Sequence, residues 1–345
     1  MRPELFEALA PVCPRCLHGG GGESPLVVAE TAETRAGRLW HGILHCSNAA
    51  CWMEFPVIDG VPVIVADPPG YLRNARAHVL ARDDLPEVLA GLLGDALGPG
   101  GEFDTTRQHL SIYAQAHFSD WAGGAVPDVV GTLRAGLEAL GEVREPAIDL
   151  GGAVGRGGWE LAQTAAPVLV ADMNFAFLRF AQRLMLDGEA CFDRRRVGLV
   201  YDRTRIRLPA DAAGDRLDFW AADAMALPFR GDTFGVATAI NLVDSIAGPT
   251  EAVAEAARVL APGAGAVFTT PHDWSQNAAE PARWMGGHSQ RAPSAGAAEP
   301  VLMATLRRHG LEAVAERHNL PWTLRLHARA EMRYALHLVA CRKIC

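Results

Sequence analysis

Between residues 126 and 345, short apolar runs alternate with longer stretches in which apolar positions recur at helical spacing. Strands are predicted at 147–150, 167–172, 217–222, 234–240 and 264–270, with helices over 126–140, 157–166, 174–187 and 249–260 set among them. The tail reads as helix 299–309, strand 311–318 and strand 334–342. Strands alternating with helices of this length predict an α/β domain, a mostly parallel doubly wound sheet covered on both faces. Residues 191–216 read as an insertion, with "VGLVYDRTRIRL" as a hairpin. Before this domain, segments 85–97 and 105–121 are amphipathic, the second placing Leu110, Tyr113, His117 and Trp121 at helical spacing. The first 65 residues alternate instead with period two, as two strands within 24–46 and a pair around an Asp59–Gly60 turn. Three parts follow: a small β domain over 1–68, a helical connector over 69–125, and the α/β domain over 126–345.

Composition narrows the function classes. Hydrophobic residues are 49% and charged residues 21%, ordinary for a globular enzyme. The formal net charge of −8 argues against a nucleic-acid partner. The tight basic cluster Arg194–Arg196 reads as a solvated loop. No apolar run reaches the roughly 18 residues of a membrane helix, and "MRPELFEALAPVC" lacks the apolar stretch of a secretory signal. A cytoplasmic location is therefore expected, with the seven cysteines as thiols or metal ligands rather than disulfides.

The segment "AIDLGGAVGRGGWELA" joins a strand to a helix through a glycine-rich turn, where backbone can approach a ligand closely. Asp149 ends the first strand region and Asp172 the second, 23 residues on, a spacing suited to gripping ribose hydroxyls of a dinucleotide or a nucleoside. The loop is not G-x-G-x-x-G, and a third acid, Asp223 in "AADAMALPF", ends the next strand; both features favour a nucleoside. This combination resembles the class I S-adenosylmethionine-dependent methyltransferases, and the resemblance covers roughly 126–345. It implies a seven-stranded Rossmann-like sheet and S-adenosyl-L-methionine as substrate. It also implies that Asp149, Gly151, Gly152 and Gly155 hold the methionine part. Asp172 would take the ribose hydroxyls, Met173 would stack on adenine, and Asp223 with Ala224 would face the adenine amino group. Asn241 after the fourth strand joins this cofactor set. Ala153 departs from the family, whose loop more often has glycine there; alanine is more restricted in φ.

Cys13 and Cys16 form a C-x2-C pair, and Cys46 and Cys51 a C-x4-C pair. Two short thiolate loops suit tetrahedral zinc, whose binding supplies folding free energy to a small domain. "CPRC…CSNAAC…FPVIDGVPVIV" resembles the small zinc-binding domain of the tRNA-methyltransferase activator family. The longer second spacing leaves His45 as a substitute ligand. Four cysteines leave no open position, so the zinc is structural. Cys191, Cys341 and Cys345 read as plain thiols.

Ligands in such sheets sit beyond the carboxyl ends of the strands. There the chain offers Asp244 in "INLVDSI", then His272, Asp273 and Trp274 in "TTPHDWS", then Trp284, His288 and Arg291. Tyr113, Trp274 and Trp284 present aromatic faces to a sulfonium, and His272 or Asp244 is the expected base. The candidate catalytic residues are thus Tyr113, Asp244, His272 and Trp274. Three functions compete: methyl transfer to a small polar metabolite, closure of the aminobutyrate arm of S-adenosylmethionine to azetidine-2-carboxylate and methylthioadenosine, and a non-catalytic or RNA-modification partner. Oligomeric state leaves no mark on the sequence.

Overall fold

The computed structural model describes residues 1–80, 85–212 and 214–344. Strands β1 (Leu26–Arg35), β2 (Arg38–Cys46), β3 (Glu54–Ile58) and β4 (Val61–Pro62) form an antiparallel sheet in that order. The β3–β4 turn sets Asp59 at φ 50° and Gly60 at φ 76°. Two successive positive φ values fit the right-handed strand twist, which is why Asp-Gly stands there.

Helices Pro68–Asn74, Arg76–Leu80, Glu87–Leu97 and Glu102–Phe118 follow. The last starts before its predicted residue 105 and stops short of 121, where a 3-10 turn at Asp120–Ala122 takes over. The larger domain then supplies β5 (Ala147–Leu150), β6 (Val168–Asp172), the hairpin β7 (Glu189–Val197) and β8 (Val200–Arg207), β9 (Leu217–Ala221), β10 (Phe234–Ile240), β11 (Leu260–Thr270), β12 (Leu311–His327) and β13 (Ala330–Lys343). Seven of these make one sheet in the order β12-β13-β11-β10-β5-β6-β9, parallel except for β13. This is the seven-stranded α/β sheet that the resemblance implies.

The alternation of strand side chains divides the core into two layers. Ile148, Leu150, Leu169 and Ala171 face one layer, shared with the N-terminal sheet and helix Pro249–Val259. Ala147, Val168, Val170 and Leu217 face the other, filled by helices Asp128–Leu140, Arg156–Leu161, Phe175–Asp187 and the end of Glu102–Phe118. With both faces covered, β5, β6, β9 and β10 are buried almost throughout, as parallel strands require.

The N-terminal sheet lies along β9. Val63 pairs in parallel with Ala221, and the Ile64 N–H donates to the Ala221 carbonyl at 2.9 Å. The Val12 N–H reaches the Pro228 carbonyl at 2.9 Å. Asp218, fully buried, accepts from the Arg2 N–H at 2.7 Å and from the Trp220 indole at 3.1 Å.

Two expectations are revised. Arg194–Arg196 is part of β7, where the Arg195 N–H donates to Ser111 Oγ at 2.8 Å and its guanidinium to Gln108 at 2.9 Å. The insertion therefore braces helix Glu102–Phe118. Strands β12 and β13 run well past their predicted limits and form a long ribbon, from Leu311↔Lys343 to His327↔Ala330. Of the three remaining cysteines, Cys341 is buried on β13, Cys191 is partly exposed, and Cys345 lies outside the described residues. Among the described residues no helix is long and apolar enough to cross a membrane.

Candidate functional site

A cavity of about 580 Å³ opens at the carboxyl ends of β5, β6 and β10. It gathers Tyr113, Asp149, Gly151, Gly152, Asp172, Met173, Asp223, Ala224, Asn241 and Asp244 from the predicted set. Gly155 caps the helix behind the loop instead. Its φ of 92° and the 2.5 Å that a Cβ would leave to Phe219 both demand glycine.

The glycine loop is shaped around Asp149. Its carboxylate is buried and accepts the Thr238 hydroxyl at 2.6 Å, across the β5–β10 register. A Cβ at Gly152 or Gly157 would lie 2.7 or 2.4 Å from Asp149 Oδ2, so the backbone wraps the carboxylate only because both lack side chains. Burial pushes the Asp149 carboxyl up to about 7. Ala153 adopts φ 49°, a left-handed conformation in which alanine is uncommon. Its N–H donates to Asp172 Oδ2 at 2.9 Å, while the Asn174 N–H donates to Oδ1 at 2.7 Å. The loop thus locks the Asp172 carboxylate toward the cavity. Burial raises the Asp172 carboxyl above its ordinary value, and the backbone donors oppose that rise.

Met173, 42% exposed, offers a flat apolar wall, and its carbonyl is fixed by the Tyr71 hydroxyl at 2.9 Å. Asp223 turns back to accept the Met225 N–H at 2.8 Å. Burial raises its carboxyl above the ordinary range. Asn241, at φ 55°, accepts the Thr269 hydroxyl at 2.8 Å.

Over the cavity lies helix Glu102–Phe118. Tyr113 packs against Phe177 with ring centres 4.9 Å apart, and His117 is buried beside it. Burial, helped by the Arg156 charge, pushes His117 down to about 3, so it is a neutral imidazole. Arg156 clamps this helix to the glycine-loop helix. It contacts both Asp120 oxygens at 2.6 and 2.9 Å, Glu160 at 3.0 Å and the His117 carbonyl at 3.2 Å, and its own side chain is only 4% exposed. Removing one partner of such a buried pair strands the others. Arg156→Ala is expected to lower unfolding free energy by about 3 kcal/mol, read from urea denaturation; a shift below about 1 kcal/mol contradicts the clamp.

Asp244, 4% exposed, accepts the Asp273 N–H on Oδ2 at 2.9 Å, while its buried Oδ1 has no partner. Burial pushes its carboxyl up to about 6. Sequence reasoning missed Trp322, Leu324 and Tyr334, which reach the cavity from the long ribbon. The Tyr334 hydroxyl donates to Asp273 Oδ2 at 3.0 Å. No lysine or arginine lines the cavity among the described residues.

The structure does not bring His272 and Trp274 here. They line a second cavity of about 290 Å³ that shares only Pro271 with the first. His272 has φ 55°, a left-handed turn just after β11, and burial pushes its imidazole down to about 4. Trp284 stacks near Trp274 with ring centres 6.4 Å apart, while His288 and Arg291 are exposed.

In the N-terminal sheet, Cys13, Cys16, Cys46 and Cys51 place their sulfurs within 4.8 Å of one another, with Cys13–Cys51 at 3.9 Å and Cys16–Cys46 at 3.7 Å. A tetrahedron with metal–sulfur distances of about 2.3 Å has edges of about 3.8 Å, so the quartet fits zinc. His45 stacks on Trp52 and is not in the cluster.

A family profile described as "Methyltransferase domain" matches residues 148–268. The ubiquinone/menaquinone biosynthesis C-methyltransferase UbiE of Roseobacter denitrificans is 39% identical over 92 residues, 27% of this chain and 35% of the relative. UbiE of Cereibacter sphaeroides strain ATCC 17029 is 40% identical over 94 residues, with the same shares. The chain thus spans about a third of these curated relatives. Among solved structures, a putative methyltransferase from Bacillus halodurans aligns with TM-score 0.43 and 13% identity, over 62% of this chain and 100% of that one. A chain of the complex between the Haloferax volcanii Trm112 methyltransferase activator and its putative methyltransferase aligns with TM-score 0.38 and 14% identity, over 67% and 99%. The matched segment holds Asp149, Asp172, Asp223 and Asp244, whereas Tyr113, Asp273, Trp322 and Tyr334 fall outside it. Residues 148–268, about a third of the chain, are thus similar to a methyltransferase domain.

Proposed function

We propose that this chain transfers the methyl group of S-adenosylmethionine to a small polar metabolite that is neutral or cationic, an amine above all. One observation carries the reading. Asp149, Asp172, Asp223, Asp244 and Asp273 line a cavity that, among the described residues, has no lysine or arginine in its wall. Such a lining favours a sulfonium and an ammonium and repels phosphate or carboxylate acceptors. Asp149 and the loop would hold the methionine end, Asp172 the ribose, Met173 and Asp223 the adenine. The UbiE match covers 27% of this chain and 35% of the relative, so the acceptor of those relatives is not carried over.

S-adenosylmethionine supplies the electrophilic methyl. The protein's part is to align the acceptor and to accept its proton at the Asp244 carboxylate. Tyr113 and Tyr334 bound the acceptor space. In this reading 1–68 is a structural zinc-binding domain, 69–125 a lid and 126–345 the transferase, in the cytoplasm.

The test is mass spectrometry of the purified protein with S-adenosylmethionine, with and without a panel of small amines. Adenosylhomocysteine that forms only with an acceptor supports the proposal. Methylthioadenosine formed from the cofactor alone replaces it with ring closure, and absent cofactor binding replaces it with a non-catalytic role.

The Asp244 assignment has a pH signature. A base must be ionised, so turnover is expected to rise through about pH 6 and then level. Asp244→Asn should abolish that limb and lower turnover by about 10²–10⁴. Its effect on stability has the opposite direction. The folded carboxyl is raised above its unfolded value, so its stabilising contribution is complete below the unfolded pKa and is lost as pH rises through about 6. Asp244→Asn should therefore be more stable than the parent at pH 8, by about 1–3 kcal/mol. Turnover profiles and thermal melts at pH 5 and 8 check both; an unchanged pH limb removes Asp244 as the base.

A further inference from the structure

At the second cavity, which His318 and His337 line, and beside it at Glu316, lies a set of metal-binding side chains that methyl transfer does not use. We propose that Glu316, His318 and His337 bind a divalent transition-metal ion at the root of the β12–β13 ribbon, with His272 as a positioning residue.

Strand alternation puts Glu316 and His318 on one face of β12. Between Arg317↔Leu338 and Leu320↔Leu336 the register slips, so His318 and Asn319 together oppose His337. Asn319 takes φ 59° in this bulge. Bulges re-aim side chains, and here the result is two imidazoles stacked in parallel, centres 4.8 Å apart and 1° between planes. Glu316 Oε1 lies 2.9 Å from His337 Nε2 and 3.4 Å from His318 Nε2, and the three ligand atoms all fall within 4.8 Å. An ion with bonds of about 2.1 Å separates neighbouring ligands by about 3.0–3.4 Å, so two of the separations already match.

The other ring nitrogen of His337 is engaged. His337 Nδ1 stands 3.2 Å from His272 Nε2, the kind of outer contact that fixes a ligating imidazole with Nε2 toward the metal. His337 is buried, while Glu316 and His318 are exposed, which leaves an entry path and room for water ligands. Glu299 lines the same cavity and adds negative charge near the imidazoles. Two imidazoles and a carboxylate select zinc, cobalt or nickel over calcium or magnesium, which prefer all-oxygen sites.

The site is separate from the cysteine quartet. It lies three residues along β13 from Tyr334, so an ion there would stiffen the ribbon that walls the first cavity.

The test uses tag-free, full-length protein dialysed against a mild chelator and then titrated with Zn2+, with bound metal counted by native mass spectrometry. The parent is expected to take one equivalent beyond that held by the cysteines, and H318A and E316Q to lack that equivalent. Both positions are exposed, so the fold should survive. With saturating Zn2+ the parent should melt roughly 5–10 °C higher, and H318A should not respond. Cobalt loaded into the extra site should show visible absorption without a thiolate charge-transfer band. A parent that binds only one zinc, or an H318A that binds as many as the parent, overturns the proposal. Neither result bears on methyl transfer.

Discussion

Asp172→Asn is expected to weaken S-adenosylmethionine binding by about 100- to 1,000-fold while the protein stays folded. The carboxylate is already oriented by two backbone donors, from Ala153 and Asn174, and its remaining lone pairs face the cavity. Hydrogen bonds to a charged group contribute about 1.5–3 kcal/mol each, so at the lower end of that range the loss of two to a ribose diol amounts to about 3 kcal/mol. An amide also sets an N–H2 group against a backbone N–H, which disturbs the Ala153 turn. Titration calorimetry on the parent and the variant measures this directly. Equal affinities would falsify the assignment of Asp172 to the ribose and, with it, the orientation of the cofactor in the cavity.

The second large effect is expected at the cysteines. Cys16→Ser should release zinc and lower the melting temperature by about 10 °C or more, because structural zinc sites contribute on the order of 10 kcal/mol to folding. The damage should not stay local. Cys13, Cys16 and Cys46 belong to the same apolar cluster as Trp220 and Phe229. His18 Nε2 lies 3.2 Å from the Leu227 carbonyl, and Val12 is bonded to Pro228. These contacts hold the turn that follows Asp223. Cofactor affinity should therefore fall along with stability. Metal analysis and melting curves, each with and without chelator, decide the matter: a parent free of zinc, or a melt indifferent to chelator, rejects a metal role for the quartet.

The parts of the fold that sequence reasoning reached are those in which one residue type has one physical use. Apolar runs such as "VLVAD" are strands because both faces of a parallel sheet are covered. The acids at 149, 172 and 223 lie where those strands end. The cysteine quartet was legible from spacing alone, and its sulfurs do meet. The ribbon was not legible, because "HNLPWTLRLHARAEMRY" mixes charge with Pro321, which tells against an interior strand. An edge strand tolerates both, and β12 is an edge. Trp322 and Tyr334 were missed for the same reason. His272 and Trp274 were placed near the chemistry because they follow the fifth strand. A backbone turn at φ 55° carries them to the other cavity, and no side-chain pattern announces a turn of that kind at a histidine.

The bridge between Val63 and Ala221 bears on how the molecule behaves in a crowd. β9 ends the large sheet, and an uncovered terminal strand offers its free amide groups as a template to any neighbouring chain. The N-terminal strands lie over that rim. Removing residues 1–68 would thus expose the β9 rim, and the shortened chain is expected to self-associate.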